Sequence, residues 1–282
     1  MSIKQTAKNL VGKFNFTTSV SLNGKQFKVP IIKNMGLLNR ALKNDDWFLQ
    51  LLRSIKMSAD ASFVDIGVNV GQTLLKFRSC SQNQYWGFEP NASCVYYANQ
   101  LIKANDFTKV SIIPAGLSTE NKVAKFYVKN DVDSAGTTVN DLRPGFYDAD
   151  NVIFVPLFSF DEFNADGMIK NIALIKIDVE GGELEVLQGM QQSIDKHKPV
   201  IVCEILDSHN DENIPKMQAR ADKLINLMHS IKYDVYGISI NNGKIESTKM
   251  DKVIIKKWTP ESWDQNDYLF LPQGKNLQSY LK

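Results

Sequence analysis

Between residues 62 and 206, short apolar runs alternate with stretches in which apolar positions recur every three or four residues. The short runs predict strands and the periodic stretches predict helices. Strands are expected at 62–67, 84–89, 110–117, 172–179 and 199–206, and helices near 71–79, 91–105, 182–195 and 212–231. Continuously apolar strands separated by helices indicate a parallel sheet covered on both faces. Two more strands, 233–240 and 266–273, close the pattern and need not run parallel.

Ahead of this block, "SVSLNGKQFKVPII" alternates apolar and polar positions around Asn23-Gly24. Both turn residues tolerate positive φ, which makes the pair a strong hairpin signal. "NDDWFLQLLRSIK", residues 44–56, then predicts a helix capped by Asn44 or Asp45, with Trp47, Leu51 and Ile55 on one face. "AKFYVKN" and "NVIFVPLFSF" interrupt the strand–helix rhythm and predict a β insertion at about 121–157. The expected fold class is α/β: a doubly wound, mostly parallel seven-stranded sheet. Residues 1–57 form an N-terminal hairpin-and-helix extension, and residues 58–282 form the main domain.

Composition narrows the function classes. The 33 basic and 31 acidic side chains nearly cancel, leaving +2, so nothing draws the chain toward nucleic acid or anionic lipid. The cluster "KVIIKK" reads as a solvated strand edge. Three cysteines without a CxxC spacing argue against a disulfide framework or a thiolate zinc site. Cys203, within "PVIVCEIL", is expected to be a buried, inert thiol. These features, with no secretory h-region at the first residues and no apolar run of membrane-spanning length, lead to an expectation of a cytoplasmic protein without a transmembrane segment.

The chemistry concentrates at the carboxyl ends of the expected strands, where open α/β sheets bind ligands. "SFVDIGVNVGQTLLKF" passes from strand to helix through Asp65, Gly67, Asn69 and Gly71. It is neither G-x-x-x-x-G-K-[ST] nor G-x-G-x-x-G, so neither a P-loop nor a dinucleotide pyrophosphate site is indicated. Taken alone, it is also the kind of turn that needs glycine only for packing. Glu89 ends the next strand, where a carboxylate can accept hydrogen bonds from a ribose diol. On its own it also reads as a surface acid near a helix N-terminus. Loop and acid together suggest a nucleoside cofactor whose other end carries no pyrophosphate, and S-adenosylmethionine fits that description.

"IALIKIDVEGGELEVLQGM" brings Lys176, Asp178 and Glu180 to one side of a strand, provided the chain stays extended. Ionisable groups in a buried strand are costly unless paired or functional. The plain alternative is a Lys176–Asp178 ion pair with a solvated Glu180. Asp178 is the first candidate for a general base, followed by Glu180, Glu204 and His209, with Lys176 holding the carboxylates charged. Asp178, Glu204, Asp207 and His209 also offer oxygen and nitrogen ligands for a divalent cation. Their spacing matches no compact metal motif, and no metal site is assigned. Trp258 and Trp263 are expected to pack rather than to stack on a sugar.

"FVDIGVNVG", "GFEPN", "IIPAGLS", "VPLFSFDEF" and "LIKIDVEGGELEVLQG", in this order and spacing, resemble the FkbM family of S-adenosylmethionine-dependent methyltransferases. The resemblance spans about residues 60–206 and extends to "YDVYG" and "NDYLFLP". It implies a class I methyltransferase fold with strand order 3-2-1-4-5-7-6 and O-methylation of a sugar, glycan or related small molecule. It also implies site roles. Asp65, Gly67, Asn69 and Gly71 surround the methionine and ribose of the cofactor. Glu89, followed by Pro90, meets the ribose. Gly116, Leu117 and Ser118 lie near the adenine, and Asp178 and Glu180 lie beside the methyl group and acceptor. Val68 stands where alanine is common in the family. The 121–157 insertion and the segment after 206 are where acceptor specificity is expected. A non-catalytic methyltransferase-fold binding module remains an alternative. A nucleic-acid methyltransferase is less favoured, because "DVEG" replaces the Pro-Pro-aromatic motif and no basic stripe is present.

Overall fold

The computed structural model describes residues 15–44, 46–129, 136–139, 142, 151–241, 244–259 and 266–282. Trp263, Asp45 and most of the connector inside the insertion lie outside them. The first two strands, β1 (Phe16–Leu22) and β2 (Lys25–Ile31), pair antiparallel around Asn23-Gly24, both residues at positive φ. Helices α1 (Leu37–Arg40) and α2 (Trp47–Ser54) follow. Asp46 caps α2 by accepting the Leu49 N–H.

The main sheet contains β3 (Ser62–Ile66), β4 (Gln84–Phe88), β5 (Val110–Ile113), β9 (Ile172–Ile177), β10 (Val200–Glu204), β11 (Tyr233–Asn241), β12 (Lys244–Met250) and β13 (Asp267–Pro272). Its order is β12-β11-β13-β10-β9-β3-β4-β5. The expectation of seven strands is therefore corrected to eight among the described residues. Lys244–Met250 adds itself to β11 as an antiparallel edge. The strands from β10 through β9, β3 and β4 to β5 are parallel, whereas β13 runs antiparallel to both β10 and β11. Without the extra edge strand, the order from β5 is 3-2-1-4-5-7-6, as the family resemblance implies.

Side chains along the central strands alternate between two cores, as a period of two demands. Val64, Ile66, Ile175, Ile177 and Ile201 face one core, completed by α6 (Glu183–Gln188), α7 (Gln191–His197) and α8 (Ile214–Ser230). Phe63, Leu174, Val200 and Val202 face the other, completed by α2 and α3 (Gln72–Cys80). Burying each such side chain contributes about 1.5–3 kcal/mol. The hairpin packs Leu22, Val29 and Ile31 against Leu75 of α3 and Tyr97 of α4 (Ala92–Ala104). Tyr97 anchors it further by donating its hydroxyl to the Pro30 carbonyl at 2.7 Å.

A second sheet holds β6 (Gly116–Leu117), β7 (Lys122–Tyr127) and β8 (Val152–Phe158), with helix α5 (Phe160–Phe163) following. The expected strand 110–117 is thus divided. Its first part joins the main sheet, and Gly116 and Leu117 pair instead with β8. The expected helix 182–195 is also two helices. It breaks at Gly189, where a Cβ would overlap the Ser118 carbonyl oxygen.

Candidate active site

The turn after β3 is built by backbone conformations that the sequence anticipates. Gly67, Asn69 and Gly71 all have positive φ. A Cβ on Gly67 would overlap the backbone oxygen of Asp178, so glycine lets the ends of β3 and β9 meet. The Asp178 N–H donates to the Ile66 carbonyl at 3.0 Å and pins the same junction. A Cβ on Gly71 would crowd Leu101, which makes that glycine a packing residue as well as the entry to α3.

Glu89 follows β4 and sits almost fully buried beneath this turn. Its Oε2 accepts the Asn69 N–H and its Oε1 accepts the Asn91 N–H, both at 2.8 Å. The acid therefore fixes the turn, and each oxygen keeps a second lone pair for another donor. Burial pushes its carboxyl up to about 7 against those two hydrogen bonds. Asp65 is fully buried. Tyr85 donates its hydroxyl to one carboxyl oxygen, and the other has no hydrogen-bond partner among the described residues. Burial raises it too, to about 7, although Lys176 opposes the shift.

The turn forms one wall of a cavity of about 1280 Å³, a volume above the roughly 300–1,000 Å³ usual for a single small ligand. Its floor carries Lys176, Asp178, Glu204 and Asp267. Lys176 Nζ lies 2.7 Å from Asp178 Oδ2. Burial disfavours the charge on Asp178, but Lys176 and a hydrogen bond with Glu204 outweigh it and hold the carboxyl below its ordinary value. Glu204 goes the other way. Burial and the neighbouring Asp178 charge raise it well above the usual range, so it keeps the proton the pair shares. Asp267 lies directly opposite Glu204 in the β10–β13 register. Burial lifts it to about 6, against the pull of Lys176, and the Trp47 side chain hydrogen-bonds it.

Glu180 also lines the cavity, but not as part of an extended strand. β9 ends at Ile177, and Glu180 turns back at φ 60°. The turn around it is braced from two sides. Thr137 Oγ1 donates to the Glu180 carbonyl at 2.7 Å, and Arg220 donates to the Gly181 carbonyl at 2.8 Å while pairing with Glu185. Glu183 accepts the Gly181 N–H at 2.9 Å and, through burial, is raised to about 7.

The remaining expected site residues divide. Pro90 lines the cavity. Gly116, Leu117 and Ser118 are buried behind it, Gly116 being packed against Pro90. His209 is exposed, with its ring 5.4 Å from that of Trp258, and does not reach the cavity floor. Asp207 is engaged elsewhere, accepting the Lys256 N–H at 2.8 Å. Among the described residues, no group of His, Cys, Asp or Glu is arranged to hold a metal ion. Sequence reasoning missed Asp267 and Trp47. The one available signal was an acid opening the apolar run "NDYLFLP".

Residues 65–235 match the model of the methyltransferase FkbM domain. Solved structures that align with this chain include the methyltransferase FkbM from Methylobacillus flagellatus KT, at 15% identity and TM-score 0.45 over 77% of this chain and 44% of that one. A putative O-methyltransferase from Klebsiella pneumoniae aligns at 9% identity and TM-score 0.41, over 81% and 79% of the two chains. A putative methyltransferase from Streptococcus mutans in complex with SAH aligns at 6% identity and TM-score 0.41, over 80% and 94%. The alignment spans less than half the length of the M. flagellatus protein. No curated protein matches the sequence. The family match covers more than half of the chain, from the acid that opens the glycine turn to the first residues of β11, and on that extent the chain belongs to the FkbM methyltransferase family.

Proposed function

We propose that this protein transfers a methyl group from S-adenosylmethionine to a hydroxyl of a sugar, glycan or related small molecule. One juxtaposition carries the reading: the Gly67 turn, held by Glu89, opens onto the same cavity as Lys176, Asp178 and Glu204. The donor set suits the cofactor. Gly67 and Asn69 line the cavity where the turn opens onto it, and Glu89 retains acceptor capacity for ribose hydroxyls.

When bound, S-adenosylmethionine supplies a methyl group already activated by its sulfonium. This chain's residues then have two tasks. They orient the acceptor, which can supply about 7–11 kcal/mol in favourable intramolecular cases. They also take the hydroxyl proton. Asp178 is the base in this reading, because Lys176 keeps it ionised and its side chain is open to the cavity. Glu204 is protonated and steadies Asp178 by hydrogen bonding. The three free cysteines suit a reducing cytoplasm, and no helix among the described residues is long and apolar enough to cross a membrane.

Isothermal titration calorimetry with S-adenosylhomocysteine, beside NADH as a control, tests the reading. Micromolar binding of the former alone is expected. Failure of a folded sample to bind it would favour a non-catalytic module.

A further inference from the structure

The cavity lining is chemically mixed. Beside the ionisable Lys176, Asp178 and Glu204, it gathers Leu38 and Leu42 from the N-terminal segment and Ile238, Ile240 and Met250 from β11 and β12, with Lys43, Ser239 and Lys256 among them. Ile238 and Ile240 are two residues apart on one strand and share a face. Leu38 and Ile240 are left 52% and 42% exposed, in a chain that buries most of its large apolar side chains. Exposed apolar groups gathered around a cavity mark a binding surface more often than scattered ones do.

The origin of these residues adds a second argument. Lys176, Asp178 and Glu204 fall inside the family-matched span 65–235, whereas these five apolar residues fall outside it. The β insertion contributes only Phe126 and Gly136 to the lining among the described residues. The N-terminal segment and the β11–β12 pair thus bring apolar lining from outside the matched span.

We infer that the acceptor is amphipathic, joining a hydroxyl-bearing end that reaches Asp178 and Glu204 to an apolar body that packs on Leu38 and Ile240. This inference rests on the methyltransferase reading and names the substrate class for it. An acceptor lacking the apolar body would leave these apolar residues in water and lose the burial that they offer, about 25 cal/mol per Å² of apolar surface. The apolar body can belong to a free small molecule or to the lipid of a membrane-held glycolipid.

The test uses two probes with the same polar end. Methyl β-D-glucopyranoside and n-octyl β-D-glucopyranoside, the latter below its micelle concentration, are titrated calorimetrically into the full chain with and without S-adenosylhomocysteine. The octyl glycoside is expected to bind at least about tenfold more tightly. A Leu38→Asn/Ile240→Asn variant, altered only at exposed positions, should lose that advantage while binding S-adenosylhomocysteine unchanged. Equal binding of the two glycosides, binding of neither, or an octyl advantage that survives in the variant would each overturn the inference. Loss of S-adenosylhomocysteine binding in the unaltered chain would instead overturn the methyltransferase reading. Flotation with phosphatidylcholine vesicles, with and without glucosylceramide, separates the sources. Glucosylceramide-dependent capture assigns the apolar body to a membrane lipid, and soluble binding alone assigns it to a free amphiphile.

Discussion

The backbone N–H of Asn69 donates to Glu89 Oε2 at 2.8 Å, so the acid expected to meet the ribose also holds the Gly67 turn. Replacing Glu89 by Ala removes this bond and the one to Asn91 together. Hydrogen bonds to charged groups contribute about 1.5–3 kcal/mol each. S-adenosylhomocysteine affinity should fall at least tenfold and the melting temperature should drop as well. Unchanged affinity in calorimetry would remove Glu89 from the site.

The raised carboxyls make a pH prediction with a definite sign. Asp65, Glu89 and Glu183 sit at about 7 in the folded chain, above the ordinary values of 3.8 and 4.5. Between those values and 7 the folded state binds more protons than the unfolded one, so stability falls as pH rises through that window. The ligand-free protein should melt at a higher temperature at pH 5 than at pH 8. Ribose hydroxyls favour ionised Glu89, so S-adenosylhomocysteine should bind more tightly at pH 8 than at pH 6. Calorimetry in buffers of different ionisation enthalpy should detect the released proton, and its absence would count against this coupling.

Asp178→Asn should lower methyl transfer by about 10²–10⁴-fold, the usual contribution of a general base. S-adenosylhomocysteine affinity should change little, because the Gly67 turn and Glu89 are untouched. Turnover within a factor of a few of the parent would end the candidacy of Asp178.

Gly67→Ala meets two obstacles. The backbone there has φ 91°, and the new Cβ would overlap the Asp178 carbonyl oxygen. Backbone strain alone costs about 1–3 kcal/mol. The variant should lose measurable cofactor binding and unfold at lower urea concentration. Gly24→Ala, in the exposed hairpin turn with open space around it, is the control and should leave binding intact.

Arg78 is buried in α3 and, among the described residues, has no carboxylate as a hydrogen-bond partner. It donates to the carbonyls of Ser81, Asn83, Thr108 and Lys109, at 2.7–3.1 Å, and so ties the loops entering β4 and β5 together. Arg78→Met leaves those carbonyls without their donor, at about 1–3 kcal/mol for each one that stays buried. Urea denaturation should show a loss of several kcal/mol, and a loss below about 1 kcal/mol would contradict the role assigned to it.

Local features were legible in the chain because they are decided locally. Asn23-Gly24 specified its turn since both residues accept positive φ, and the apolar runs at 62–66, 172–177 and 200–204 specified strands buried on both faces. The spacing of Gly67, Asn69 and Gly71 likewise announced a turn that needs left-handed backbone. What the local pattern could not state was where a strand stops. Lys176, Asp178 and Glu180 share a side only while the chain is extended, and the meeting of Asp178 with Gly67 and Ile66 ends that extension.

Only the tertiary structure decided which distant segments complete the cavity. Glu204 and Asp267 are far apart in the chain, and the antiparallel register of β10 and β13 makes them neighbours. Trp47 of α2 reaches Asp267, and Leu38 of α1 and Ile240 of β11 line one cavity although they lie far apart in the chain. His209, in contrast, was carried outward against Trp258 although it follows a central strand. Periodicity reports which face of an element is buried. The partner of that face is set by strand register and by helix packing between segments far apart in sequence, and no local pattern encodes either.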